Sequence, residues 1–215
     1  MPVTVLLVDD EPLARAGLRA ILDAQPDIDV IGEAADGVAV VSLCRQLNPD
    51  VIAMDVRMPL MDGIETTRAI LRSTARPPKI LVITTYENDD YVYAALRAGA
   101  DGFLLKRARP AEIANAVRTV ATGDSLLYPA AVRALAHGRG NPSAREQLVR
   151  AGLTDREETV LLLMTRGLSN REIADQLHIG PETVKTHVSG VLTKLDARDR
   201  TQAVILAYES GFVDR

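Results

Sequence analysis

The amino-acid sequence predicts an α/β fold, a doubly wound five-stranded parallel sheet, followed by a smaller all-α domain. Three observations carry this expectation. From residue 3 to about 123, short β-branched runs alternate with longer helical patterns, the sequence form of repeated strand–helix units. Several of those runs are nearly continuous in apolar residues, as parallel strands covered on both faces are. From Leu153 onward the pattern is helical throughout. A chain of 215 residues accommodates two such domains.

The strands are expected at 3–8, 30–33, 51–54, 80–84 and 102–105, with helices near 12–23, 37–47, 64–73, 88–98 and 110–122. The first domain therefore occupies 1–123. Residues 124–150 change character. "HGRGNPSAR", 137–145, is a Gly/Pro/Asn/Ser cluster of the kind that links domains, and the preceding Ala-rich "PAAVRALAH" suggests a short helix within the linker. The second domain, 151–215, reads as four helices near 155–166, 170–177, 181–195 and 200–210. Thr154 with Glu157, and Ser169 with Glu172, match the capping box and open the first two. Gly167 suits the end of the first, and Pro181 suits the first position of the third.

Composition narrows the class. The chain is 47% hydrophobic and 25% charged with a net charge of −4, which is that of a soluble globular protein. Aromatics are 3% with no Trp, so Val, Leu, Ile and Ala must build the cores. Cys44 is the only cysteine, which excludes an internal disulfide and fits a reducing compartment. No apolar run approaches the ~18 residues of a membrane span, and the N-terminus enters a strand without a basic segment. A cytoplasmic protein with no membrane association is expected.

Chemistry is concentrated at the strand ends. Asp9 and Asp10 end the first strand and Asp55 ends the third. In a 2-1-3-4-5 strand order these strands are neighbours, and their carboxylates meet where such sheets have their crevice. Carboxylates held together repel one another, so the cluster calls for a cation. Mg²⁺ suits it, because that ion keeps several waters and takes few protein ligands. The fourth strand ends in Thr84 (or Thr85) and the fifth is followed by Lys106, so a hydroxyl and an ammonium border the same pocket. An aspartate can act as a nucleophile toward phosphorus, with Lys and Thr binding the phosphoryl oxygens. A phosphohydrolase with an aspartyl nucleophile commonly carries a second acid two residues on. Arg57 stands there instead, and little sequence is left for a substrate cap.

These residues resemble a response-regulator receiver domain across the first 123 positions. Asp9 and Asp10 look like its acidic pair, with Asp10 the direct metal ligand. Asp55 matches the phosphoacceptor in "MDVRMP", followed by Asp62-Gly63. The resemblance implies a flavodoxin-like sheet of order 2-1-3-4-5. It also implies Mg²⁺ held by Asp9, Asp10, Asp55 and the backbone carbonyl of Arg57, phosphate contacts from Thr84 and Lys106, and a switch made of Thr84 and Phe103. The sequence departs from the pattern twice: Arg107 follows the lysine where many receivers have proline, and Phe103 replaces the commoner tyrosine.

In the second domain, "HIG", 178–180, is a short turn of the helix-turn-helix kind. On the helix after it, Val184, Val188, Val191, Leu192 and Leu195 recur at helical spacing and must face the core. Glu182, Lys185, Thr186 and Ser189 then share the outer face, at i, i+3, i+4 and i+7. Such a stripe can enter a major groove and read base edges. Charge argues the other way, because residues 151–215 hold eight Lys and Arg against ten Asp and Glu, and DNA-binding modules are usually basic. "LSNREIA", "TVKTHV" and "KLDARDRTQAV" nevertheless resemble the LuxR-type helix-turn-helix. That resemblance implies base reading by Lys185 and Thr186, supported by Glu182 and Ser189. It implies phosphate contacts from Thr183, His187, Lys194 and Arg200, and a dimer contact on the last helix. Gly180 and Gly190 depart from the polar residues expected there.

Receiver and LuxR-type module in this order resemble a NarL/FixJ-type response regulator of two-component systems. The resemblance implies that Asp55 accepts a phosphoryl group from a sensor histidine kinase. Slow self-hydrolysis would be the only other chemistry, since this is not an enzyme family. Phosphorylation would then control homodimerisation and binding to double-stranded promoter DNA. Low positive charge on one copy means few phosphates neutralised, so paired half-sites suit it. The alternative is a phosphorylation-independent transcription factor that uses the receiver as a dimerisation module.

Overall fold

Val5 to Val8, Val51 to Met54 and Ile80 to Ile83 are buried almost completely, and their strands form the middle of one parallel sheet. The computed structural model describes residues 1–74, 76–85, 89–123 and 141–213. The chain divides into two compact units, Met1–Thr122 and Gly123–Arg215.

In the first unit, β1 (Val3–Val8), β2 (Ile28–Ala34), β3 (Val51–Met54), β4 (Lys79–Thr84) and β5 (Gly102–Leu105) alternate with α1 (Pro12–Asp23), α2 (Gly37–Leu47), α3 (Gly63–Ser73), α4 (Asp89–Ala98) and α5 (Pro110–Thr122). The sheet order is β2-β1-β3-β4-β5, the order that the receiver resemblance implies. β2 is longer at both ends than its apolar core, because Val3 pairs with Ile28 and Val8 with Ala34 along the whole of β1. Register shifts between Val5 and Leu6, which pair with Val30 and Gly32. Asp36 caps α2 by accepting from the amides of Val38 and Ala39, and Asp62 caps α3 by accepting from Glu65. These caps settle where each helix begins at the carboxyl edge of the sheet.

The second unit holds five helices among the described residues: α6 (Pro142–Ala151), α7 (Asp155–Thr165), α8 (Asn170–Leu177), α9 (Pro181–Lys194) and α10 (Arg200–Glu209). The four-helix expectation missed α6, which lies within the stretch read as linker. Its reason is local. Asn141 accepts from the Ser143 amide, and Pro142 supplies the first helical residue, so an Asn-Pro pair that punctuates loops here opens a helix. Ala144 and Leu148 are buried, Gln147 donates to the Leu195 carbonyl at 2.6 Å, and Asn141 donates to Glu209. The short helix expected in "PAAVRALAH" lies outside the described residues. Both capping boxes form, at Thr154–Glu157 and Ser169–Glu172. Gly167 takes a left-handed φ of 85° just past α7, with the Leu168 amide donating to the Leu163 carbonyl. No described helix is long and apolar enough to cross a membrane.

Candidate functional site

The carboxyl edge of the sheet gathers the charged residues. Asp9, Asp10 and Asp55 each place one carboxylate oxygen within 4.8 Å of the others. Asp9 and Asp55 are only 1% and 5% exposed, while Asp10 is open to solvent. Their neighbourhood follows from register, since Val8 pairs with Met54 and the Asp55 amide donates to the Val8 carbonyl at 2.8 Å. An open cleft of about 700 Å³ lies over them, bordered by Asp10, Asp55, Arg57, Thr85 and Lys106.

Lys106 supplies the counter-charge. Its Nζ donates to Asp55 Oδ2 at 2.7 Å and lies 2.6 Å from Asp9 Oδ2. Burial lowers its pKa most, yet the contacts with Asp55 and Asp9 together raise it above the ordinary lysine value, so the ammonium stays charged at neutral pH. Asp55 Oδ1 accepts from the Val56 amide at 2.6 Å, which fixes the side chain in one orientation. Gly63 has a steric reason. A Cβ there would sit 2.3 Å from the Asp55 carbonyl oxygen, so any larger residue would push the Asp55 backbone out of line.

The donor set fits a hard divalent cation. Three acids converge, and one ammonium stands against them. Asp9 Oδ2 is buried and receives no aligned hydrogen bond despite its proximity to Lys106. A buried carboxylate oxygen in that state has unused acceptor capacity, which a metal or its bound water can take up.

The hydroxyl is placed differently from the simplest reading. Thr84 is fully buried at the end of β4, and it is Thr85, exposed, that borders the cleft. Thr84 is the last residue of β4 and Thr85 the first beyond it, so the two side chains stand in different surroundings. Phe103 is 9% exposed and pairs with Val82 in the sheet register, while the Lys106 amide donates to the Thr84 carbonyl.

In the second unit, α8 and α9 are joined by the 178–180 turn. The residue with left-handed φ there is His178, at 54°, whereas Gly180 is extended. Val184, Val188, Val191 and Leu195 are buried beneath α9 and Leu192 is half-buried. Glu182, Thr183, Lys185, Thr186 and Ser189 are exposed, and His187 is half-buried. Lys185 pairs with Glu182 at 3.0 Å within the helix. An exposed pair at that spacing is worth only a few tenths of a kcal/mol, so Lys185 can leave it for a stronger anion.

Two cations expected to hold phosphate have partners within the second unit. Arg200 is 4% exposed; it donates to Asn170 Oδ1 at 3.1 Å and to the Leu168 carbonyl. Lys194 donates to Glu157 at 2.6 Å and to the Gly152 carbonyl. Arg200 is thus buried, whereas the Lys194 side chain keeps 34% exposure. The Glu157 carboxylate, which sequence reading treated only as a cap residue, accepts from Lys194 and from Thr154. Gly190 fits this arrangement, because a Cβ would lie 2.8 Å from Glu157 Oε1, on a carboxylate whose Oε2 is held by Lys194 and Thr154.

Lys194 first, and then the Thr154 backbone amide, hold the Glu157 carboxyl at about 2, well below its ordinary 4.5. A depressed carboxyl contributes stability above its unfolded pKa and loses it as pH falls. The second unit should therefore lose stability progressively as pH falls from the ordinary glutamate value toward about 2. Glu157→Gln should flatten that acid limb in urea unfolding followed by circular dichroism from pH 5 downward.

Comparison with known proteins agrees with both units. Residues 5–118 match the family described as "Response regulator receiver domain", and residues 151–207 match "Bacterial regulatory proteins, luxR family". The chain belongs to the response regulators that join a receiver domain to a LuxR-type DNA-binding domain. It is 45% identical over 212 residues to the transcriptional regulatory protein LiaR of Bacillus subtilis (strain 168), covering 99% of this chain and 100% of that one. It is 41% identical over 213 residues to the response regulator protein VraR of Staphylococcus aureus (strain Mu3 / ATCC 700698), with 99% and 100% covered. Among solved structures it resembles the response regulator ChrA of a heme-sensing two-component system at 38% identity and a TM-score of 0.53, covering 96% of each chain. The receiver domain of the putative response regulator NarL from Mycobacterium tuberculosis matches 57% of this chain and 98% of its own, at 41% identity and a TM-score of 0.54.

Proposed function

We propose that Asp55 accepts a phosphoryl group from the phosphohistidine of a sensor kinase, and that the phosphorylated receiver promotes homodimerisation and binding to double-stranded DNA. One observation supports this most: the Asp55 carboxylate sits at the floor of an open cleft, held by Lys106 and facing two further acids. In the transfer, an Asp55 oxygen forms the new P–O bond as the P–N bond to the kinase imidazole breaks. The imidazole keeps the electron pair of that bond. Asp9, Asp10, Asp55 and the Arg57 carbonyl are the residues that would hold Mg²⁺, which when bound neutralises charge on the transferring oxygens. Lys106 then moves its hydrogen bond from the carboxylate to the phosphate. Slow hydrolysis of the acyl phosphate resets the protein.

Thr84 and Phe103 are the switch pair. Thr84 is buried one residue before the cleft-lining Thr85, so contact with the phosphate requires the end of β4 to shift. Both residues lie on strands that pair with one another, β4 and β5, and movement at one is felt at the other. Phosphorylation can act only by favouring one of two arrangements already open to the protein.

DNA reading rests on the exposed stripe of α9. Lys185 and Thr186 are the base readers, Glu182 and Ser189 flank them, and Thr183 and His187 are placed for phosphates. Lys185→Ala should weaken binding to a specific duplex and relax preference at one base, by about 1–3 kcal/mol. An unchanged footprint would remove Lys185 from base recognition. The phosphoryl reading is tested by incubating the protein with Mg²⁺ and acetyl phosphate and measuring intact mass. One added phosphoryl group is expected. No gain in mass would leave the receiver as a phosphorylation-independent dimerisation module.

A further inference from the structure

The exposed Asp10 is the least supported member of the acid cluster. Among the described residues no hydrogen bond or ion pair holds its carboxylate, so its direction is set by the peptide that precedes it. That peptide is anchored from outside the cleft. The Asp9 amide donates to the Ala34 carbonyl at 3.1 Å, and Asp9 Oδ1 accepts from the Glu11 amide at 3.0 Å. The Asp9 carbonyl accepts from the Arg15 guanidinium at 2.5 Å. Arg15 is itself fixed, because its Nε donates to Glu33 Oε2 at 2.9 Å, and Arg19 holds the other oxygen of Glu33 at 2.7 Å.

We infer that Arg15 is a positioning residue for the cation-binding acids: it pins the Asp9–Asp10 peptide and so aims both carboxylates into the cleft. This rests on the reading that the acids hold Mg²⁺. The fork of the guanidinium is what the geometry uses, one nitrogen on the β2 carboxylate of Glu33 and another on the Asp9 carbonyl just past β1. Groups that orient metal ligands from behind commonly matter about tenfold in affinity.

Charge and positioning make opposite forecasts, and that separates them. Arg15→Met removes a positive charge close to a cation site, so electrostatics alone would tighten Mg²⁺ binding. Loss of the anchor frees the Asp10 backbone and should weaken it, by about tenfold. Arg15→Lys keeps the charge, yet one ammonium cannot serve both partners, and a smaller loss is expected. Magnesium titration calorimetry of the full chain without phosphodonor reads all three proteins. Tighter or unchanged binding in Arg15→Met overturns the inference. If that variant does not fold, unchanged binding in Arg15→Lys overturns it equally. Absence of Mg²⁺ binding by the wild type would instead overturn the metal site itself, and this inference with it.

Discussion

Asp55→Asn should reduce acyl-phosphate labelling to background while leaving the receiver folded. The substitution is nearly isosteric and retains an oxygen that can accept from the Val56 amide, as Asp55 Oδ1 does at 2.6 Å. What it removes is the anionic oxygen paired with Lys106 and with it the nucleophile. Asp9 cannot substitute, since it is 1% exposed and its other oxygen is bonded to the Glu11 amide. Asp10 is exposed but has no described ammonium against it. Intact-mass measurement after Mg²⁺ and acetyl phosphate gives the answer, with thermal unfolding as the control for fold. Retained labelling in a folded variant would assign the acceptor to another residue. Duplex binding by this variant adds a second readout: phosphodonor should no longer alter it.

The acid cluster was legible from sequence because strand ends announce themselves. An apolar run followed at once by acids fixes both the edge and the residue that stands on it, and the order β2-β1-β3-β4-β5 then brings β1 and β3 side by side. The Thr84–Thr85 pair was less legible, because a one-residue difference at the end of a strand exchanges the buried face for the open one. The start of α6 was hidden for another reason. Asn141 and Pro142 are the residues of a turn, and also the cap and first residue of a helix, and only the burial of Ala144 and Leu148 against the rest of the unit decides between them. The inner partners of the cations were invisible. Helical spacing tells which way a side chain points but not what arrives from a helix 30 or more residues away, as Asn170 does for Arg200 and Glu157 for Lys194.

That last distinction has a measurable consequence. Arg200→Met should destabilise the DNA-binding unit, because Asn170 Oδ1 and the Leu168 carbonyl both lose the Arg200 donor, and a hydrogen bond from a charged group contributes about 1.5–3 kcal/mol. Methionine keeps most of the length, so the loss reports the hydrogen bonds more than an empty volume. Urea unfolding followed by circular dichroism measures it. A phosphate-binding arginine would behave in the opposite way: little change in stability, and a fall of about one in the slope of log affinity against log salt. With Arg200 only 4% exposed, the slope for a duplex that the wild type binds should be the same in the variant once affinity is corrected for the folded fraction. A reduced slope with undiminished stability would place Arg200 on the DNA instead. The outcome also bears on how a mildly acidic module binds at all. Removing Arg200 from the contact set leaves the exposed face of α9 to carry the recognition, and fewer neutralised phosphates per copy makes a second copy on an adjacent half-site correspondingly more important.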